Sequence, residues 1–101
     1  MGKRPPSIED LKKTQDEAKW SWLKPHALRD AVILVHTSLD ILDVGVEIAG
    51  DNSTKVRDWL KQGMLKKLTH AQVQAWDKTP DKRFMCMIVA PYVLAQELLM
   101  H

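Results

Sequence analysis

The sequence predicts an α+β domain, a small three-stranded sheet with several helices in a winged-helix-like arrangement. Three observations carry that reading. Two short runs, "AVILVH" (Ala31 to His36) and "FMCMIVA" (Phe84 to Ala90), have the length and apolar, β-branched character of buried strands. Around them, apolar residues recur at the three- and four-residue spacing of helices. From residue 21 the predicted order is helix, strand, helix, helix, strand, helical excursion, strand, helix. This is the order of a winged helix-turn-helix, with Thr69 to Lys78 standing where a wing would be. Such an analogy speaks to architecture and not to activity.

Residues 1–6, "MGKRPP", form a flexible basic arm, and residues 7–101 form a single globular domain. Ser7 stands where an N-cap should, with Asp10 three residues later as a weak capping box. Ile8, Leu11, Ala18 and Trp22 come next at helical spacing and predict a helix over 7–19. Ser21 can cap a second short helix to Arg29, with Pro25 tolerated within or near its first turn. After the strand at Ala31 to His36, Thr37 and Ser38 offer caps to a helix from Leu39 to Ala49. Its stripe of Leu39, Leu42, Val46 and Ala49 is apolar, and Asp40, Asp43 and Glu47 occupy the opposite face.

"GDNS" interrupts that helix, since Gly50 and Asn52 accept positive φ and Ser53 can cap the next helix. Val56, Trp59 and Leu60 mark the buried face of that helix, which runs to Gln62 and is closed by Gly63. "MLKKL" is a short strand, Thr69 caps a helix carrying Ala71, Val73 and Trp76, and "KTPDK" ends it. Pro91 opens a last helix with Val93, Leu94, Leu98 and Leu99 on its apolar side.

At 101 residues, 45% apolar and 28% charged, the chain has the size and composition of one folded domain. Fifteen Lys and Arg against thirteen Asp and Glu leave a net charge of +2, so any nucleic-acid surface must be a local patch. The single cysteine, Cys86, excludes an internal disulfide and a multi-cysteine zinc site, and fits a reducing compartment. "MGKRPPS" lacks the apolar core of a signal peptide. The most apolar run, Phe84 to Ala95, contains Pro91 and falls short of the ~20 residues that span a bilayer. The expectation is a cytoplasmic protein without membrane or cofactor.

The stretch from Val44 to Leu68 poses the main functional question. Val46, Gly50 and Val56 have helix-turn-helix spacing, with Trp59 one turn on. Lys55, Arg57 and Lys61 could face a groove of DNA, and Lys66 and Lys67 would add a basic region near the wing. Against this, Asp51 stands after the turn glycine, where an apolar residue is usual. Asp40, Asp43 and Glu47 lie where phosphates would approach, opposing the counterion release that drives such binding. A structural helical corner with solvated charges outweighs a DNA reader.

No other cluster rises above background. Cys86 within an apolar strand reads as a core residue. His26, His36, His70 and His101 share no metal-ligand spacing. His36 and Asp40 could meet across a strand-to-helix turn as an acid–base pair, although capping is the commoner use of such residues. Trp59 and Trp76 read as core-filling, and one of Trp20 and Trp22 is exposed.

From about Lys19 to Glu97 the chain resembles the domain-of-unknown-function family 2288 of short bacterial proteins. The resemblance rests on "KWSWLKPHALRDAVILV", "SLDILDVGVEIAGDN", "VRDWLKQGMLKK", "QVQAW" and "VAPYVLAQE". Tyr92, Ala95 and His36 depart from the tryptophan, valine and acidic residue expected there, and the last departure weakens a catalytic His36–Asp40 pair. The resemblance implies a bacterial source, no established activity, and acidic character around the "AGDN" turn. The leading expectation is a non-catalytic interaction module with a protein partner, or a homodimer formed through the C-terminal helix. The alternative is a DNA-binding transcriptional regulator using Lys55, Arg57 and Lys61, and a small enzyme built on His36 and Asp40 stands third.

Overall fold

The computed structural model of the chain describes residues 7–98, so the arm at residues 1–6 and Leu99 of the expected last helix lie outside it. The elements are α1 (Ile8–Thr14), β1 (Asp16–Lys19), α2 (Trp20–Leu28), β2 (Val32–Val35), α3 (Ile41–Ala49), α4 (Ser53–Lys61), β3 (Leu65–Lys67), α5 (His70–Asp77), β4 (Arg83–Val89) and β5 (Tyr92–Glu97). The α+β class holds, but the sheet has five strands, not three, in the order β1-β4-β5-β2-β3. The two strong strand runs do not pair with each other, because β5 lies between them. It runs antiparallel to β4 and parallel to β2.

The two extra strands come from segments with helical signals. Residues 7–19 are not one helix. The Ser7–Asp10 capping box is present, but Thr14 ends α1 and ties it to the sheet. Its Oγ1 donates to the Leu11 carbonyl at 2.8 Å and accepts the Ile88 N–H at 3.1 Å. "DEAK" then pairs with β4 at the sheet edge, where ladder hydrogen bonds override good helix formers.

The predicted C-terminal helix is likewise β5. The register Val89↔Tyr92 leaves Ala90 and Pro91, joined by a cis peptide bond, as a two-residue hairpin loop. Val93, Leu94 and Ala95 are all buried because β5 is covered on both faces. Such a strand shows a continuous apolar run without alternation, which sequence periodicity cannot separate from a short helix.

The sheet is the middle of three layers. On one face Met87, Val89 and Leu94 pack with Leu11 of α1 and Ile41 and Val44 of α3. On the other, Phe84, Cys86, Val93 and Ala95 pack with Trp20 and Leu23 of α2, and Val73 and Trp76 of α5 lean on them. α2 begins at Trp20, so Pro25 sits inside the helix beyond its first turn. Ser21 is not its cap: the first N–H groups, of Trp20 and Ser21, donate to the carbonyls of Lys82 and Pro80.

The α3–α4 corner forms as the spacing predicts, with Val46, Val56 and Trp59 packed against the same core cluster. Its turn chemistry differs. Gly50 has φ −81°, Asp51 takes the positive φ of 58°, and Asn52 rather than Ser53 caps α4. Asp40 caps α3 in place of Thr37 or Ser38, accepting the Leu42 N–H at 2.9 Å. No residue of α4 is fully buried, and Trp59 is only half-buried. Trp59→Ala should therefore cost about 1–2 kcal/mol in chemical denaturation, well under the ~3–5 of an enclosed tryptophan. A loss in the higher range would mean that α4 is part of the main core.

Candidate functional site

Because α4 rests on α3 without being submerged, a groove stays open between α1, α3 and α4. Its volume is about 390 Å³, at the small end for ligand clefts. Ile8, Leu39, Leu42, Val46 and Trp59 supply apolar lining, and Asp40, Asp43, Glu47 and Lys55 the polar part. α3 explains the combination. Leu42 and Asp43 are neighbours on the helix, as are Val46 and Glu47, so each apolar residue sits about 100° from a carboxylate. The acidic residues flank the apolar stripe instead of occupying the opposite face.

Three of the four polar groups are engaged. Asp40 is held as the α3 cap. Glu47 accepts a hydrogen bond from Asn52 Nδ2 at 3.0 Å, joining α3 to the turn. Asp43 is exposed. The Lys55 ammonium lies 5.6 Å from the centre of the Trp59 ring, a cation–π contact at the groove wall. The groove therefore offers three carboxylates and one lysine around a half-buried indole.

The basic residues singled out from sequence are dispersed. All five are exposed. On α4, Lys55 faces the groove, whereas Arg57 lies about 160° away around the helix, with Lys61 on its own side. Arg57 borders a separate hollow with Ile48, Val56 and Leu60. Lys66 and Lys67 are on β3, and Lys67 is engaged with Asp30 at 2.7 Å, which raises its pKa through the hydrogen bond and the nearby negative charge. These residues share no single face.

His36 and Asp40 are not joined by a hydrogen bond among the described residues. His36 Nδ1 accepts the Ser38 N–H at 3.0 Å and sits 2.8 Å from Ser38 Oγ, while Asp40 caps α3. Both organise the β2–α3 loop. Cys86 is buried, and desolvation, with a smaller contribution from the charge of Asp16, pushes its thiol up to about 12. It stays protonated at neutral pH. A thiol reagent should therefore label native protein far more slowly than denatured protein, and rapid labelling at neutral pH would show an accessible thiolate instead. No group of three or more His, Cys, Asp or Glu could hold a metal among the described residues. No helix among them is long and apolar enough to cross a membrane.

A family profile described as "Protein of unknown function (DUF2288)" matches residues 7–97, from the α1 cap to the end of β5. The chain belongs to this family. A solved relative of this DUF2288 chain is the NMR solution structure of PA1075 from Pseudomonas aeruginosa. It is 29% identical, covers 90% of this chain and 87% of its own, and superposes with a TM-score of 0.76. No curated protein matches. The DUF2288 match spans every element lining the groove, and it leaves the groove's occupant to be argued from chemistry.

Proposed function

We propose that this chain is a non-catalytic interaction module whose α1–α3–α4 groove binds a segment of a partner protein. The observation that carries this reading is the groove's make-up, an apolar lining around Trp59 edged by Asp40, Asp43 and Glu47. That surface complements a short segment with one apolar anchor flanked by Lys or Arg. A partly buried tryptophan is a common binding hot spot, and rim carboxylates add selectivity and encounter rate. A winged-helix-like DNA reader is the weaker reading. It needs Lys55, Arg57 and Lys61 on one face and phosphates close to the α3 carboxylates.

Selection of a random displayed peptide library on the full chain tests the proposal. Enriched peptides should combine Lys or Arg with an aliphatic or aromatic residue. Asp43→Lys and Trp59→Ala should each weaken them by about tenfold or more. Absence of enrichment, or peptides indifferent to both substitutions, would overturn it. Duplex DNA serves as the counter-probe, and its binding should vanish at moderate salt. Nanomolar binding of one duplex sequence, weakened by Arg57→Ala and Lys61→Ala, would favour the regulator instead.

A further inference from the structure

The hydrogen-bonding phase of the edge strand β1 is set by its contacts with β4. The Trp20 N–H donates to the Lys82 carbonyl at 2.8 Å, so Trp20 turns its N–H towards β4 and sets the phase of the ladder, although the Lys82 N–H itself donates to Thr79. Counting by two along the ladder, Ala18 with Phe84 and Asp16 with Cys86 are the hydrogen-bonded pairs. Glu17 and Lys19, between them, direct their N–H and C=O groups away from β4, at the open side of the sheet. The Glu17 N–H meanwhile donates to Asp16 Oδ1 at 2.8 Å, a local substitute for a strand partner.

We propose that β1 pairs antiparallel with β1 of a second copy of this chain about a two-fold axis, extending the sheet across the dimer. Only residues with outward backbone groups can form the hydrogen-bonded pairs, which leaves three registers centred on this strand. Two of them set Glu17 against Glu17 or Lys19 against Lys19 and place like charges opposite each other. The third sets Glu17 against the partner's Lys19 at both ends, with Ala18 facing Ala18 on the axis. There the non-hydrogen-bonded pair brings Cα atoms closest, and a small side chain fits. Lys19 is available for this contact, because its 3.5 Å pair with Asp81 is solvent-exposed and weak.

A second feature beside the same edge favours this occupant. Trp22 and Ile88 are 43% and 44% exposed, and with Ala18 and Ser21 they line a hollow of about 440 Å³. A second β1–α2 unit brought in by the two-fold covers this apolar surface, which adds area that four-residue strand pairing lacks. The opposite edge, β3, is a three-residue strand carrying Lys66 and the Asp30-paired Lys67, with no acidic residue of its own to set opposite them in a second copy. None of the residues used here lines the groove, so the two proposals stand or fall separately.

Sedimentation velocity of the full chain tests it, at concentrations up to about 1 mM. The expected result is a shift from 11.6 kDa towards twice that mass. Glu17→Lys and Lys19→Glu alone should each weaken self-association by about tenfold or more, from attraction turned to repulsion in two symmetric pairs. Mixing the two single variants, or combining both changes in one chain, should restore association, and a circular dichroism spectrum checks that each variant is folded. A chain monomeric throughout would overturn the proposal. So would a dimer indifferent to the charge reversals, or open-ended oligomers from β1 pairing with β3 of the next copy.

Discussion

Trp20→Ala should destabilise the protein by about 3–5 kcal/mol, a large share of the ~5–15 kcal/mol that typically holds a domain this size folded. Trp20 is 1% exposed and is the largest fully buried side chain. Its ring meets Trp76 edge-on at 5.3 Å and lies 6.3 Å from Phe84, and Trp76 meets Phe84 at 5.0 Å. Aromatic geometry of this kind contributes beyond buried area. The indole N–H donates to Asp77 Oδ1 at 2.9 Å, so the ring also ties α2 to the end of α5. That bond, together with a smaller effect of the one from Lys24, holds the Asp77 carboxyl below its ordinary value. Its contribution is present above the ordinary carboxylate pKa and is lost as pH falls through the lowered folded value. Denaturant melts of Trp20→Ala and Trp20→Phe check this. Phe should retain part of the packing and lose the larger part of the Asp77-linked acid dependence, the smaller part from Lys24 remaining. A wild-type midpoint for Trp20→Ala would contradict the packing described for this face.

Gly45→Val should cost about 1–3 kcal/mol by overpacking the α3–sheet interface. A Cβ at Gly45 would stand 2.5 Å from Met87 Sδ and 3.6 Å from Val89 Cγ2, and Met87 is fully buried. Glycine here is set by the closeness of helix and sheet, since its φ is not in the left-handed region. Valine recovers only a few tenths of a kcal/mol in helix propensity, which does not offset the clash. The pairing with Met87→Ala makes the mechanism checkable. In that background the valine should cost less, or stabilise, giving a coupling energy in a double-mutant cycle of thermal or chemical melts. Additive effects would mean that α3 shifts away from β4 to accommodate either change.

Local chemistry is legible in the sequence wherever local interactions decide structure. The Ser7–Asp10 box, the Thr69 cap, the α3–α4 corner and the strand runs at β2 and β4 arise from residue type and spacing. The differences fall where a distant partner decides. "DEAK" is a strand because β4 is beside it, and "YVLA" is a central strand because β4 and β2 flank it. The correction to β5 also removes the C-terminal helix as a self-association surface.

The candidate groove is half legible. Leu39, Leu42, Val46 and Trp59 stand out in the sequence as apolar, and Asp40, Asp43 and Glu47 as an acidic set. That they line one groove depends on how far α4 stands from α3 and on Ile8 reaching in from α1, which no helical period encodes. Lys55 reads from sequence as a phosphate contact, and its position beside Trp59 gives it a different setting.

The most direct test of the groove as a partner-binding site is amide NMR of the isotope-labelled chain, titrated with a display-selected basic peptide. Progressive shifts should be concentrated at Ile8, Leu39, Asp43, Glu47 and Trp59, and should be lost in Asp43→Lys. Shifts centred on Arg57 and Lys61, or spread over the β1 edge at Trp22 and Ile88, would contradict the groove as the binding site.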